Sequence, residues 1–280
     1  MGDLDGKTII LTGFTAGIGK ATAMELARRG ANLGLVGRSP DKCAAVLEEL
    51  RAATGNTQLR VFLCDLSLMK EVKRLAGELL EAYPRIDVLL NNAGLFSAKR
   101  TLTAEDLELT FAANHMGYYI LTRMLEERLK ASAPARVVNV ASAAHKNAEL
   151  DFDDLQSAKN YGAFAVYCKS KLANIYFTRV MAERLQGSGV TVNCLHPGVI
   201  ASDLIRPWGM VVAFVWKLFT ASTENGARTS LFLATDPSVA DTTGQYFDES
   251  KVARTSAAAR DDEAARRLWE ESARIAGMEA

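Results

Sequence analysis

The sequence predicts a single α/β domain built on a doubly wound parallel sheet with helices on both faces. Two observations predict it. Short apolar runs rich in Val, Ile and Leu alternate with longer amphipathic stretches, and no internal repeat or composition break marks a second domain. Near-continuous apolar strands are typical of parallel sheets, because helices cover both faces of such a sheet. The fold is therefore expected to be of the Rossmann type and to span residues 1–280.

Each predicted element follows from its residue pattern. Seven short apolar runs are predicted to be strands: Lys7–Thr12, Asn32–Gly37, Gln58–Cys64, Asp87–Asn91, Arg136–Ala141, Thr191–Leu195 and Gln245–Phe247. Stretches of helical periodicity lie between them: Ile18–Arg29, Pro40–Ala53, Leu68–Tyr83, Leu107–Lys130 and Phe164–Gln186. A C-terminal helical tail is expected over about 260–276. Ligands of such sheets bind beyond the carboxyl ends of the strands, so the residues after each strand carry the functional information.

Composition excludes several classes of protein. The 33 basic and 33 acidic side chains cancel, whereas a nucleic-acid binder usually carries a basic excess. The four cysteines are far apart and the three histidines lack metal-ligand spacing, so we expect neither a disulfide framework nor a bound metal. The polar N-terminus shows no signal peptide or membrane anchor, and a cytoplasmic location is expected.

A glycine-rich turn follows the first predicted strand. Thr12-Gly13-Phe14-Thr15-Ala16-Gly17-Ile18-Gly19 joins that strand to a helix. Glycines allow a tight turn and the close approach of main-chain N–H groups to a pyrophosphate, and the helix N-terminus adds its positive dipole. A lone glycine cluster would indicate only a flexible turn, but its position between the first strand and a helix predicts a dinucleotide site.

The end of the second strand predicts the choice of cofactor. An acidic residue there would bind the ribose hydroxyl of NAD, whereas an arginine accommodates the phosphate of NADP. The chain reads Gly37-Arg38-Ser39, with no acid at this point. Arg38 is alternatively a solvated surface residue, but the missing acid favours NADP(H).

Further strand ends continue the pattern. Cys64-Asp65-Leu66-Ser67 follows strand three, Asn91-Asn92-Ala93-Gly94 follows strand four, Ser142 follows strand five, and Pro197-Gly198 follows strand six. Tyr167-Cys168-Lys169-Ser170-Lys171 places Tyr-x-x-x-Lys in a helical stretch. Together with the glycine turn, these motifs resemble the short-chain dehydrogenase/reductase family from about Lys7 to Phe247. The resemblance implies an oxidoreductase that exchanges a hydride between NADP(H) and an alcohol or carbonyl carbon.

The resemblance also implies roles for individual residues. The implied catalytic residues are Asn114, Ser142, Tyr167 and Lys171. The implied cofactor-binding residues are Gly13, Thr15, Gly17, Ile18, Gly19, Arg38, Ser39, Asp65, Leu66, Asn92, Ala93, Gly94, Tyr167, Lys171, Pro197, Gly198, Val199 and Ser202. Ser202 stands where many members of the family have a threonine. Asn114 would support a water chain that relays the proton outward.

The chemistry of Tyr-x-x-x-Lys agrees with these roles. Residues four apart lie on one face of a helix, one turn from each other. A tyrosine with a pKa near 10 is a poor base at neutral pH. The ammonium of Lys171 and the positive nicotinamide are expected to lower the pKa of Tyr167, so that it exchanges the substrate proton. Tyr161 is set aside because Ala165 stands four residues after it.

Within the family, the sequence around Ser142, the acidic stretch 151–155 and the tail around Trp269 resemble the retinol-dehydrogenase branch. Many of its members act on bulky, lipophilic alcohols and aldehydes. We expect a substrate lid over about 199–222, which contains an apolar run at 208–219. This run is too short to span a bilayer, and three interpretations stay open: a lipophilic substrate wall, weak contact with a membrane surface, or a subunit interface in a homodimer or homotetramer.

Two other functions are weighed against this one. A non-catalytic, NADP-sensing regulator would keep the fold and cofactor motifs but would not need Asn, Ser, Tyr and Lys together. A sugar-nucleotide epimerase or dehydratase of the extended branch also uses Tyr-x-x-x-Lys. Such enzymes usually have different glycine spacing and a larger C-terminal substrate domain, and the sequence has neither.

Overall fold

The computed structural model of the protein describes residues 2–198 and 223–280. One eight-stranded sheet crosses the molecule in the order β3-β2-β1-β4-β5-β6-β7-β8. Its strands are β1 (Thr8–Thr12), β2 (Asn32–Gly37), β3 (Leu59–Leu63), β4 (Val88–Asn91), β5 (Ala135–Val140), β6 (Val190–His196), β7 (Tyr246–Asp248) and β8 (Lys251–Val252). Every neighbouring pair is parallel except β7 and β8. The predicted doubly wound fold is confirmed, and the two-residue β8 is an addition that the sequence pattern did not indicate.

Helices connect the strands and cover both faces. They are α1 (Gly17–Arg28), α2 (Pro40–Thr54), α3 (Met69–Ala82), α4 (Leu109–Phe111), α5 (Gly117–Met124), α6 (Glu126–Ala131), α7 (Ala163–Arg184), α8 (Thr223–Thr235) and α9 (Asp262–Ala276). Short 3₁₀ helices occupy Ala143–Asn147, Pro237–Val239 and Ala258–Arg260. Helix α9 lies within the range expected for the helical tail.

The long helix predicted at Leu107–Lys130 is wrong in detail. The chain instead forms α4, a π-helical turn at Ala112–Met116, α5 and then α6, with Leu125 between the last two. Apolar periodicity does not reveal a π turn, because the inserted residue shifts the pattern by only a fraction of a turn. The π turn contains Asn114, and π turns inside helices are frequent at functional sites.

Alternate residues of strands β1 to β7 enter two cores. Ile10 faces the core formed with α3, α5, α7 and α9, whereas Ile9 and Leu11 face the core formed with α1, α2 and α8. This alternation is the two-residue period of a strand buried on both faces. Strand order reverses between β1 and β4, so a ligand crevice is expected at their carboxyl ends.

Two features are absent from the described residues. In residues 2–198 and 223–280, no helix is both long and apolar enough to cross a bilayer. Within the same ranges, no cluster of three or more His, Cys, Asp or Glu side chains is arranged to hold a metal ion.

Candidate active site

The turn after β1 brings the main chain of three segments into close contact. Gly13 has φ +75°, and a Cβ there would lie 2.7 Å from the Cα of Ala93. A Cβ on Gly19 would lie 2.0 Å from the carbonyl oxygen of Gly13. Gly17 begins α1 with φ +54°, and Ala16 caps that helix without a side-chain hydrogen bond. Thr15 and Ile18 lie in the same turn, partly exposed.

Thr12 joins this turn to the segment after β4. Its Oγ1 accepts hydrogen bonds from the main-chain N–H groups of Asn92 and Ala93 at 2.9 and 3.0 Å. The Nδ2 of Asn92 donates in return to the carbonyl oxygens of Thr12 and Gly13 at 2.8 and 3.2 Å. The hydroxyl of the buried Tyr118 donates to the carbonyl oxygen of Ala93 at 2.8 Å. Sequence reasoning missed Thr12 and Tyr118 as positioning residues, because their partners are distant in sequence.

The residues after β2 and β3 meet at the next strand end. Arg38 is 68% exposed and forms an ion pair with Asp65 at 3.5 Å. Asp65 also accepts hydrogen bonds from the main chain and hydroxyl of Ser67. Ser39 caps α2, and the carbonyl oxygen of Leu66 lies 2.8 Å from the Cβ position of Gly117 in α5. Arg38 is thus free to reach a ligand phosphate, since an exposed ion pair is weak.

Ser142, Tyr167 and Lys171 converge beyond β5. Ser142 follows β5 directly, while Tyr167 and Lys171 lie one turn apart on α7. The Nζ of the buried Lys171 donates to the carbonyl oxygen of Val140 at 2.9 Å and lies 5.7 Å from the ring centroid of Tyr167. The same Nζ lies 3.5 Å from the Cβ position of Gly94, which ties the segment after β4 to this group.

Burial dominates the ionisation of Tyr167 and Lys171. Burial raises the pKa of Tyr167 to about 12, and a hydrogen bond with Ser142 opposes this shift. Burial also lowers the pKa of Lys171 to about 8. In the protein groups alone the pKa of Tyr167 is thus raised, because desolvation penalises its charged form. The expected lowering by the lysine ammonium together with the nicotinamide stays a prediction.

Asn114 is fully buried in the π turn rather than solvated. Its Oδ1 accepts from the main-chain N–H of Leu95 at 2.8 Å. Its Nδ2 donates to the carbonyl oxygen of Leu95 at 2.9 Å and to the hydroxyl of Ser170 at 3.0 Å. Both amide hydrogens are thus used, so the side chain fixes the segment after Gly94, and the predicted proton relay stays a prediction.

A buried polar network lies behind Lys171. The Nδ2 of Asn91 donates to Asn139 at 2.9 Å, and the Nδ2 of Asn139 donates to Thr178 at 2.9 Å. Asn174 donates to the carbonyl oxygen of Val140 at 3.4 Å, which is the acceptor that Lys171 also uses. Sequence reasoning missed this network, since no spacing relates its members.

The remaining predicted site residues follow β6. Pro197 and Gly198 come directly after it, and Gly198 has φ +85°. Val199 and Ser202 lie outside the described residues, as do the expected lid at about 199–222 and the apolar run at 208–219. The predictions made for them stay predictions.

The described residues fit a dinucleotide cofactor. A Cβ on Gly17 would meet no atom within 4 Å, so the turn leaves open space at the N-terminus of α1, which has no side-chain cap. Main-chain N–H groups in such an arrangement bind phosphate oxygens well. Arg38 supplies a cation at the strand end where an additional ribose phosphate would lie.

Comparisons with known proteins identify the family of this chain. The short chain dehydrogenase family model matches residues 7–210. Human retinol dehydrogenase 13 is 42% identical over 286 residues, which cover 99% of this chain and 86% of that protein.

Two solved structures extend the comparison. A structure of an uncharacterised protein from Mycobacterium paratuberculosis has a TM-score of 0.81 and 28% identity, and the match covers 100% of this chain and 96% of that one. A short chain dehydrogenase from Shigella flexneri, complexed with NADP, has a TM-score of 0.71 and 25% identity, over 89% and 98% of the two chains. The chain therefore belongs to the short-chain dehydrogenase/reductase family of oxidoreductases acting on alcohol and carbonyl groups, in its retinol-dehydrogenase-like branch.

Proposed function

We propose that this protein uses NADPH to reduce a lipophilic aldehyde or ketone, with Tyr167 as the proton donor. The observation that carries the proposal is the group formed by Ser142, Tyr167 and Lys171 next to the glycine turn. Burial raises the pKa of Tyr167 to about 12, so its hydroxyl is protonated at neutral pH. A protonated hydroxyl is the form that reduction of a carbonyl requires.

Arg38 supports the choice of NADP(H). It is 68% exposed and its partner in the ion pair, Asp65, is itself held by Ser67. A phosphate bound beside the guanidinium would receive charge-assisted hydrogen bonds, which are about twice as strong as neutral ones. The relative from Shigella flexneri is complexed with NADP, which favours the same assignment.

The proposed mechanism assigns one task to each residue. NADPH supplies the hydride when it is bound. The hydroxyls of Ser142 and Tyr167 hydrogen-bond to the carbonyl oxygen, and Tyr167 donates its proton to that oxygen as negative charge develops there. Lys171 would hold the nicotinamide ribose, and its ammonium stabilises the phenolate left on Tyr167. Gly17, which has open space beside it, would leave room for the pyrophosphate.

Replacement of Tyr167 by phenylalanine tests the proposal. The variant keeps the aromatic ring, so folding and NADPH binding should survive while turnover falls by about 10²–10⁴-fold or more. Turnover is measured as the loss of NADPH absorbance with a panel of aldehydes from short and polar to long and polycyclic. We expect the highest kcat/KM for the lipophilic members.

Tyr161→Phe is the matched control for this variant. Tyr161 lies in the segment before α7, and its hydroxyl donates to the carbonyl oxygen of Ser97 at 2.8 Å. It has no lysine four residues later and lies outside the group of Ser142, Tyr167 and Lys171, so its replacement should leave turnover within about twofold. Near-normal turnover in Tyr167→Phe would overturn the mechanism. A wild-type protein that binds NADPH but reduces no member of the panel would favour the NADP-sensing alternative.

Replacement of Arg38 by alanine tests the cofactor assignment. A charge-assisted contact to phosphate contributes about 1.5–3 kcal/mol, so NADPH binding should weaken about ten- to a hundredfold. NADH binding should change little, because NADH lacks that phosphate. Both affinities are measured by titration of cofactor fluorescence.

Arg266→Ala is the control for charge, because Arg266 is an exposed arginine on α9, on the opposite face of the sheet from α1 and α2. This variant should bind both cofactors as the wild type does. Equal weakening of NADPH and NADH by Arg38→Ala would show that Arg38 does not recognise the phosphate.

A further inference from the structure

His145 is a buried titratable residue that the proposed mechanism does not use. It lies on the 3₁₀ helix Ala143–Asn147, which begins directly after Ser142, and none of its surface is exposed. Its ring packs edge-on against Tyr246 of β7, with 5.0 Å between the ring centroids. Both ring nitrogens of His145 have a polar partner.

These two partners determine which nitrogen carries the proton. The main-chain N–H of Ser256 points at Nε2 from 3.2 Å, and an N–H group can only donate. Nε2 must therefore be the bare nitrogen that accepts. In a neutral imidazole the proton then resides on Nδ1, which lies 2.7 Å from the carbonyl oxygen of Ser142 and donates to it.

The surroundings of His145 favour its neutral form. Burial lowers the pKa of the ring, the hydrogen bond to Ser142 opposes this shift in part, and the positive charge of the adjacent Lys146 lowers the pKa further. A protonated ring would carry a hydrogen on Nε2 that opposes the N–H of Ser256. The hydrogen bond from Nδ1 to Ser142 is therefore present in the folded protein, in which the imidazole ring is neutral.

We propose that His145 is a positioning residue for Ser142, fixed in its Nδ1–H tautomer by the main chain of Ser256. This inference rests on the proposed function of Ser142. The ring and the main-chain N–H of His145 both donate to the carbonyl oxygen of Ser142. They hold the peptide from which the Ser142 side chain projects, while the Ser142 hydroxyl accepts from the N–H of Ala144 at 3.2 Å and meets Tyr167. Residue 256, after β8, thereby helps to aim the hydroxyl that binds the substrate oxygen.

A pair of amide variants separates positioning from simple packing. The side-chain NH₂ of His145→Asn occupies the place of Nδ1 and can still donate to Ser142. The longer side chain of His145→Gln reaches the place of Nε2 and can keep only the bond to Ser256. We expect kcat to fall about tenfold in His145→Gln, the effect of one lost hydrogen bond, and to stay within about threefold of wild type in His145→Asn. NADPH affinity should be unchanged in both variants.

The proposal would be overturned if kcat fell more in His145→Asn than in His145→Gln, or if it fell equally in both variants. A purely structural role would lower the melting temperature and kcat of both variants together, without rescue by asparagine. Thermal unfolding of each variant is therefore recorded beside its kinetics.

The tautomer is measured independently of activity. The chain has only three histidines, so nitrogen NMR of histidine-labelled wild-type protein gives few signals, and the signals lost in His145→Asn assign those of His145. We expect a proton-bearing Nδ1 and a bare Nε2 at neutral pH. A proton on Nε2 would overturn the proposal whatever the kinetics of the two variants. Failure of the proposed function has a different signature, since wild-type protein would then reduce no carbonyl substrate whatever the His145 tautomer.

Discussion

At the scale of single residues, desolvation dominates the ionisable groups of the site. Tyr167 and Lys171 carry opposite charges when ionised, and mutual attraction alone would favour both charged forms. Burial instead raises the pKa of Tyr167 to about 12 and lowers that of Lys171 to about 8. Burial thus favours the neutral form of both side chains. The free energy lost when a charge is removed from water exceeds the attraction to an opposite charge several ångströms away.

The sign of the Tyr167 shift leads to a prediction. A raised pKa means that the phenol stays protonated through the pH range in which an ordinary tyrosine, with a pKa of about 10, ionises. The difference in phenolate absorbance between wild type and Tyr167→Phe should therefore remain near zero up to about pH 10 in the folded proteins. The phenolate contribution of Tyr167 should appear only at still higher pH.

The same difference recorded on the unfolded proteins is the control, since Tyr167 should then titrate near its ordinary value of about 10. A phenolate signal from the folded protein below about pH 9 would mean that the charge of Lys171 outweighs burial. In that case the cofactor-free protein would already favour alcohol oxidation.

At the scale of elements, a few close approaches of the main chain shape the cofactor site. Gly19 lies in the first turn of α1, where its missing side chain lets the helix reach the turn at Gly13. A Cβ there would lie 2.0 Å from the oxygen of Gly13 and 2.6 Å from the Nδ2 of Asn92. Neither atom can move away cheaply, because Asn92 is bonded to the main chain of Thr12 and Gly13.

Gly19→Ala should therefore destabilise the protein by about 1–3 kcal/mol, the usual effect of overpacking. Gly77→Ala is the matched control, since Gly77 is also a helical glycine and its Cβ would meet no atom within 4 Å. That change should stabilise the protein by about 0.5–1 kcal/mol, because alanine loses less conformational entropy in a helix. Chemical denaturation measures both changes. Equal stability of the two variants would show that the turn adapts without cost.

The π turn at Ala112–Met116 illustrates a second property of the elements. It interrupts the helical pattern where Asn114 turns inward to bind both polar groups of the Leu95 main chain. The sequence indicated a helix there and indicated Asn114 as a site residue. It did not indicate the π turn. In a π turn each main-chain N–H bonds one residue further back than in an α-helix, and this change leaves the apolar periodicity nearly unchanged.

At the scale of the whole molecule, strand order gathers the site. Reversal between β1 and β4 places the glycine turn, the Asn92–Gly94 segment and Ser142 at neighbouring strand ends, although more than 120 residues separate the first from the last. Helix α9 closes the core on the face of α7, where Trp269 stacks on Phe177 with 6.2 Å between ring centroids. The C-terminal part of the chain is thus joined to the helix that carries Tyr167 and Lys171.

Seven of the eight strands, most of the helices, the glycine turn and the one-turn spacing of Tyr167 and Lys171 could be predicted from the sequence. These features are local, since periodicity, turn chemistry and helical spacing depend on residues close together in the chain. Motif order also led to the correct family.

Tertiary structure alone decided the pKa shift of Tyr167, the partners of Asn114 and the positioning roles of Thr12, Tyr118 and His145. Each depends on which distant segment removes water from a group or offers it a hydrogen bond. His145 shows this most plainly, because its proton is placed by the main chain of residue 256, more than 100 positions later. The linear sequence does not show these contacts. The protonation states of the site depend on these contacts.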